Sequence, residues 1–177
     1  MAELPLPGAE ALVRLNALAE SDARQALQRC CGAERWVSGM LASRPYASAL
    51  ALYERADAVW QALEASDYLE AFSHHPEIGA NLDELRRRFA ATAELSQAEQ
   101  AGAAQASQET LLALRQQNQA YRERFGFSFI VCATGKSARE MLELLEQRLP
   151  HAPERELAIA AAEQGKITRL RLEKLVT

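Results

Sequence analysis

The sequence predicts an all-α, single-domain helical bundle over residues 1–177, with one lone extended segment near residues 127–134. Three observations predict it. Alanine, leucine, glutamine, glutamate and arginine dominate, and all are strong helix formers. Apolar residues recur at helical spacing, most clearly between about Ala47 and Ala65, where Leu52, Ala56, Val59 and Leu63 form a stripe that Tyr53 and Trp60 widen. Only Phe127-Ser-Phe-Ile-Val-Cys-Ala-Thr134 concentrates β-branched and aromatic residues, between Gly126 and Gly135 and without an obvious partner strand.

The elements follow in order. After Pro7-Gly8, Leu12, Leu15 and Leu18 suggest a first helix; Ser21-Asp22 offers a cap and an acidic opening for a second that stops at Gly32. A short third helix carries Trp36 and Met40 before Arg44-Pro45. The amphipathic fourth turns Glu54, Asp57, Gln61 and Glu64 mainly outward. Ser66-Asp67 restarts the chain into Tyr68-Leu-Glu-Ala-Phe72, and helix ends at His74-His75-Pro76 because proline disfavours the helical conformation of the residue before it. Asn81-x-x-Glu84, Ser96-x-x-Glu99 and Ser137-x-x-Glu140 have the spacing of a capping box. The helix opening at Ser96 runs to Phe125 as the longest in the chain, with Gly126 as its left-handed cap. Two more helices span Ser137 to Leu149 and about Pro153 to Val176. Trp36, Trp60 and Phe72 are assigned to the core.

A chain of 177 residues is long enough to bury roughly 70% of the surface its unfolded form exposes. Hydrophobic residues make up 49% and charged residues 25%, as in an ordinary folded protein, so neither disorder nor a membrane span is indicated. A net charge of −4 argues against a nucleic-acid partner, which would call for a basic surplus. Arg86-Arg87-Arg88, behind Asp83 and Glu84, reads as a solvated helix face. Cys30, Cys31 and Cys132 give no disulfide framework, and no signal peptide or apolar run of about 18 residues is present, so a cytoplasmic location is expected.

Several chemistries lack their residues. Ala133-Thr-Gly-Lys-Ser137 resembles the end of a phosphate-binding loop, but Ile130 stands where that loop needs a glycine. The three histidines, His74, His75 and His151, form no i, i+4 pair, so no metal site is expected. No Gly-x-Ser-x-Gly elbow supports a covalent hydrolase. What remains is a set of polar groups at places where backbone donors are also free: His75-Pro76, Ser96-Gln-Ala-Glu99-Gln100, the extended segment, and Arg171. Each has a structural reading as well, Ser96 with Glu99 as a capping box and Arg171 as a solvated helix arginine. His75 is stiffened by the proline after it, and histidine is the side-chain type that can titrate near neutral pH.

At these residues the sequence resembles the 2-oxo-4-hydroxy-4-carboxy-5-ureidoimidazoline (OHCU) decarboxylases. The matching blocks are Cys31-Gly-Ala-Glu-Arg-Trp36 with Met40 and Arg44-Pro45, Ala56-Asp57 with Trp60, Asp67-Tyr-Leu-Glu-Ala-Phe72, and His75-Pro-Glu-Ile-Gly79. They continue as Ser96-x-x-Glu99-Gln100-Ala-Gly102, Asn118-x-x-Tyr121, Phe125-Gly-Phe-Ser-Phe-Ile-Val-Cys-Ala-Thr-Gly-Lys136, and Glu163-Gln with Lys166-Ile-Thr-Arg-Leu-Arg-Leu172. One departure is Glu77, where the family often has arginine. The resemblance implies an all-α homodimer that uses no cofactor and decarboxylates its ureidoimidazoline substrate to (S)-allantoin in urate breakdown. It implies His75 as the catalytic acid or base and Glu99 as its acidic companion. By the same resemblance Pro76, Ser96, Gln97, Ala98, Gln100, Phe129, Ile130, Val131, Cys132, Ala133 and Arg171 contact the substrate. The alternatives are a non-catalytic helical interaction module of this fold and a lyase acting on another ureido acid.

Overall fold

The computed structural model describes residues 9–76, 83 and 97–177, and side chains over the same ranges apart from 97–107. Eight helices and no strand lie among these residues. They are α1 (Ala9–Ala17), α2 (Glu20–Cys30), α3 (Glu34–Ala42), α4 (Ala49–Gln61), α5 (Ala65–Ser73), α6 (Gln97–Phe125), α7 (Ala138–Arg148) and α8 (Pro153–Leu175). The all-α expectation holds. The expected cap at Asn81-x-x-Glu84, the run Arg86-Arg87-Arg88 and Ser96 lie outside the described residues.

Local chemistry sets several helix ends. Ser48 caps α4 by accepting from the Ala51 N–H at 3.0 Å. Ser137 accepts from the Glu140 N–H at 3.2 Å while the Glu140 carboxylate accepts from the Ser137 N–H at 2.7 Å, a complete capping box for α7. That backbone hydrogen bond also holds the Glu140 carboxyl below the usual range. Pro153 opens α8 at the one position where its missing N–H is no loss. Gly126 ends α6 at φ +78°, its N–H donating to the Arg122 carbonyl at 2.8 Å.

Three boundaries differ from expectation. Helix α2 begins at Glu20 after an Ala19 cap with no side-chain hydrogen bond, so Ser21-Asp22 is not the cap; Glu20 and Asp22 instead sit in the first turn, beside the helix's positive end. Helix α4 spans Ala49–Gln61 rather than Ala47 to Ala65, and Glu64 stands before α5 with its N–H bonded to the Asp67 carboxylate at 2.9 Å. The second helix stops at Cys30, with Cys31 extended at its cap, two residues before Gly32.

The chain divides into two compact units, Met1–His74 with Ala161–Thr177, and His75–Ala160. In the first, α3 packs against α2, α4 and α5. Its core holds Leu27, Trp36, Val37, Met40, Leu52, Phe72 and Leu172, each at most 1% exposed. Indole donors are satisfied inside it: Trp36 Nε1 donates to the Ala56 carbonyl at 3.2 Å, and Trp60 Nε1 to the Ala161 carbonyl at 2.9 Å. The core assignment of Trp36, Trp60 and Phe72 stands. In the second unit α6 packs against α7 over Leu111, Leu114, Tyr121, Met141 and Leu145, together with Phe129 and Val131 from the extended segment.

Candidate active site

His75 follows α5 directly. His74 caps that helix, its N–H donating to the Ala71 carbonyl at 3.2 Å, and leaves His75 half-buried and Pro76 exposed. The base of the His74 side chain lies against Gly32: a Cβ built there would stand 2.5 Å from both Cγ and Cδ2 and 2.8 Å from Cβ of His74. Gly32 has no positive φ, so space alone demands glycine at this position. The contacted atoms belong to the stem of the side chain rather than a flexible end, and His74 must shift to admit a methyl group. Gly32→Ala is therefore expected to destabilise by about 1–3 kcal/mol and to reduce turnover by displacing the residue next to His75. Thermal melts and initial rates check this, and adding His74→Gly to the same chain, which removes all three contacted atoms, should restore both.

Residues 128–133 run without helix or strand between a bend at 126–127 and a turn at 134–135, at the place of the expected extended segment. Phe129, Ile130, Val131 and Cys132 are buried and Ala133 is half-buried. Side chains alternate along such a stretch, and Phe129 and Val131 both enter the α6–α7 core. Two of its carbonyls accept from charged side chains. Arg148 Nη1 donates to the Ile130 carbonyl at 2.7 Å and Lys136 Nζ to the Cys132 carbonyl at 2.8 Å. Among the described residues the N–H groups of Ile130 and Val131 meet no acceptor.

Arg148 is itself buried, at 6% exposure, and its Nε donates to Glu156 Oε1 at 2.6 Å. Glu156 is fully buried and also accepts from the Tyr121 hydroxyl at 2.5 Å, with His151 Nδ1 3.1 Å from its other oxygen. The Arg148 guanidinium lies over the Phe129 ring, 4.5 Å from its centroid. Burial, and the carboxylate that accepts its proton, push the Tyr121 phenol up, so it stays a neutral donor. Sequence reasoning missed this cluster. The signal was present: Ala138, Met141, Leu145 and Arg148 follow one helical stripe, and the fourth member is charged.

Arg171, half-buried on α8, donates from Nη1 to the carbonyls of Arg29 and Cys30 at 3.4 and 3.3 Å, at the negative end of α2. Burial pushes the Cys30 and Cys31 thiols up to about 11, leaving them protonated and poor nucleophiles. Gln97, Ala98, Glu99 and Gln100 form the first turn of α6, and their side chains are outside the described residues. An open cleft of about 510 Å³ in the first unit, lined by Trp60, Tyr68, Lys166 and Arg169 among others, includes none of the residues expected to act on or contact the substrate.

Residues 16–173 match the protein family described as OHCU decarboxylase. The chain belongs to the OHCU decarboxylase family. Its relative "Uric acid degradation bifunctional protein TTL" of Arabidopsis thaliana is 41% identical over 152 residues, covering 82% of this chain and 45% of the relative. The chain thus spans less than half the length of that protein. Among solved structures, an OHCU decarboxylase crystallised in the presence of (S)-allantoin aligns with a TM-score of 0.68 and 35% identity, covering 84% of this chain and 95% of the other. The structure of an (S)-allantoin synthase, 20% identical with a TM-score of 0.65 over 93% of this chain and 54% of the other, shares the fold. In this OHCU decarboxylase family member the Gly32–His74 contact lies within the first compact unit and the Arg148–Glu156 cluster within the second.

Proposed function

We propose that this chain decarboxylates OHCU to (S)-allantoin in urate breakdown. The observation that carries the reading is the family match over residues 16–173, supported by the 35% identical structure crystallised with (S)-allantoin. In the proposed reaction the bond to the departing carboxylate breaks, its electron pair passes into the conjugated ring, and His75 delivers a proton to one face of the resulting carbon. No electron acceptor outside the substrate is needed, so no cofactor enters the reading. Glu99 orients the imidazole or grips the ureido N–H groups. Arg171, Pro76, the turn Ser96, Gln97, Ala98 and Gln100, and the segment Phe129, Ile130, Val131, Cys132 and Ala133 hold the anionic, amide-rich ring. The N–H groups of Ile130 and Val131, which meet no acceptor among the described residues, support that part, since carbonyl and carboxylate oxygens are their natural partners.

A positioned general acid supplies roughly 10² to 10⁴ in rate, enough for a substrate already prone to lose carbon dioxide, and facial control of protonation accounts for the handed product. The functional unit we propose is one domain over residues 1–177, acting as a homodimer on its small-molecule substrate. Three free, buried cysteines support a reducing, cytoplasmic setting.

The test is a coupled assay. Urate is treated with urate oxidase and the hydrolase that follows it, with and without this protein, and circular dichroism records the product. Faster formation of a single allantoin enantiomer is expected; equal rates and a racemic product in both arms would refute the reading.

A further inference from the structure

We infer that Arg148 is a positioning residue, which aims the backbone N–H of Val131 at an acceptor oxygen of the substrate; this rests on the decarboxylase reading above. The argument is geometric. In a trans peptide the carbonyl and the following N–H point in opposite directions within one rigid plane. The only cis peptide among the described residues is Arg44–Pro45, so the Ile130–Val131 unit is trans. Arg148 Nη1 holds its oxygen at 2.7 Å, and this charge-assisted bond fixes the plane. The Val131 N–H is thereby directed away from the guanidinium, and it meets no acceptor among the described residues.

The guanidinium has little freedom of its own. Glu156 takes Nε at 2.6 Å, the Tyr121 oxygen lies 3.4 Å from Nη2, and the Phe129 ring closes one face. The Phe129 and Val131 side chains pin the segment on both flanks of the held carbonyl. An ion pair this deeply buried contributes little stability that packed apolar side chains would not match. It does something they cannot, which is to grip a single carbonyl in one orientation.

Arg148→Lys tests the inference. Lysine keeps a charge for Glu156 but cannot also hold the Ile130 oxygen through a rigid fork. The expected result is a KM for OHCU raised about tenfold, the equivalent of one hydrogen bond, with the Val131 amide resonance displaced in the ¹H–¹⁵N spectrum. Leu114→Ala is the control: it opens a cavity in the same α6–α7 core and touches none of the hydrogen bonds of Arg148. It should lower Tm while leaving KM within about twofold, and a KM that tracks Tm across both variants overturns the inference. Should Arg148→Lys fail to fold, an ester in place of the Val131 amide deletes the N–H and keeps every side chain; unchanged KM there is equally fatal. Absence of turnover by the unmodified protein sinks the decarboxylase reading, whereas turnover with KM insensitive to Arg148→Lys sinks the tether alone.

Discussion

Replacing His75 with alanine is expected to lower kcat by roughly 10² to 10⁴-fold, the usual contribution of a positioned general acid. His75 is half-buried beyond the last residue of α5, so the variant should fold with its helical circular dichroism intact. The residual product should lose its handedness, because protonation would then come from water on either face. The pH–rate profile should lose the limb that an imidazole supplies near neutrality. Unaltered kcat, handedness and profile in a folded His75→Ala protein would remove His75 from the mechanism.

Glu156→Ala carries the largest expected effect on stability. The carboxylate is fully buried and serves Arg148, the Tyr121 hydroxyl and the His151 ring at once. Its removal strands the Arg148 charge in the interior, and breaking a buried pair in this way costs about 3–5 kcal/mol. For a chain of 177 residues this corresponds to a fall in Tm of about 6–20 °C. Glu156→Gln keeps an acceptor for Arg148 and should lose markedly less. Thermal melts of the two variants decide the matter, and a drop below about 1 kcal/mol for alanine would mean that water reaches Arg148.

Features written within a few residues of one another were legible in the sequence. The Ser137–Glu140 box, the Gly126 cap and the extended stretch after it all depend on local backbone preferences, and each is found where it was expected. Local pattern failed where several adjacent residues suit the same job. Ser21-Asp22 is a good cap, yet the helix starts one residue before Ser21, where two acids together face its positive end. Contacts across long separations left no trace. Nothing in the sequence says that Arg171 reaches the carbonyl of Cys30, 141 positions away, or that Arg148 holds that of Ile130, 18 away. The candidate site was legible as a set of residue types through family resemblance, but the arrangement that orients its backbone depends on Arg148 and Glu156, two charges hidden in otherwise ordinary amphipathic helices.

The first compact unit is discontinuous, since Ala161–Thr177 joins Met1–His74 across the whole of the second unit's sequence. The Trp60 indole bonds to a carbonyl 101 residues later. A ribosome adding roughly 5–20 residues per second needs about 5 to 20 s to bridge that gap. Throughout that interval the nascent N-terminal helices have no Leu172 or Val176 to close over their apolar faces, and native burial there is a late event of synthesis.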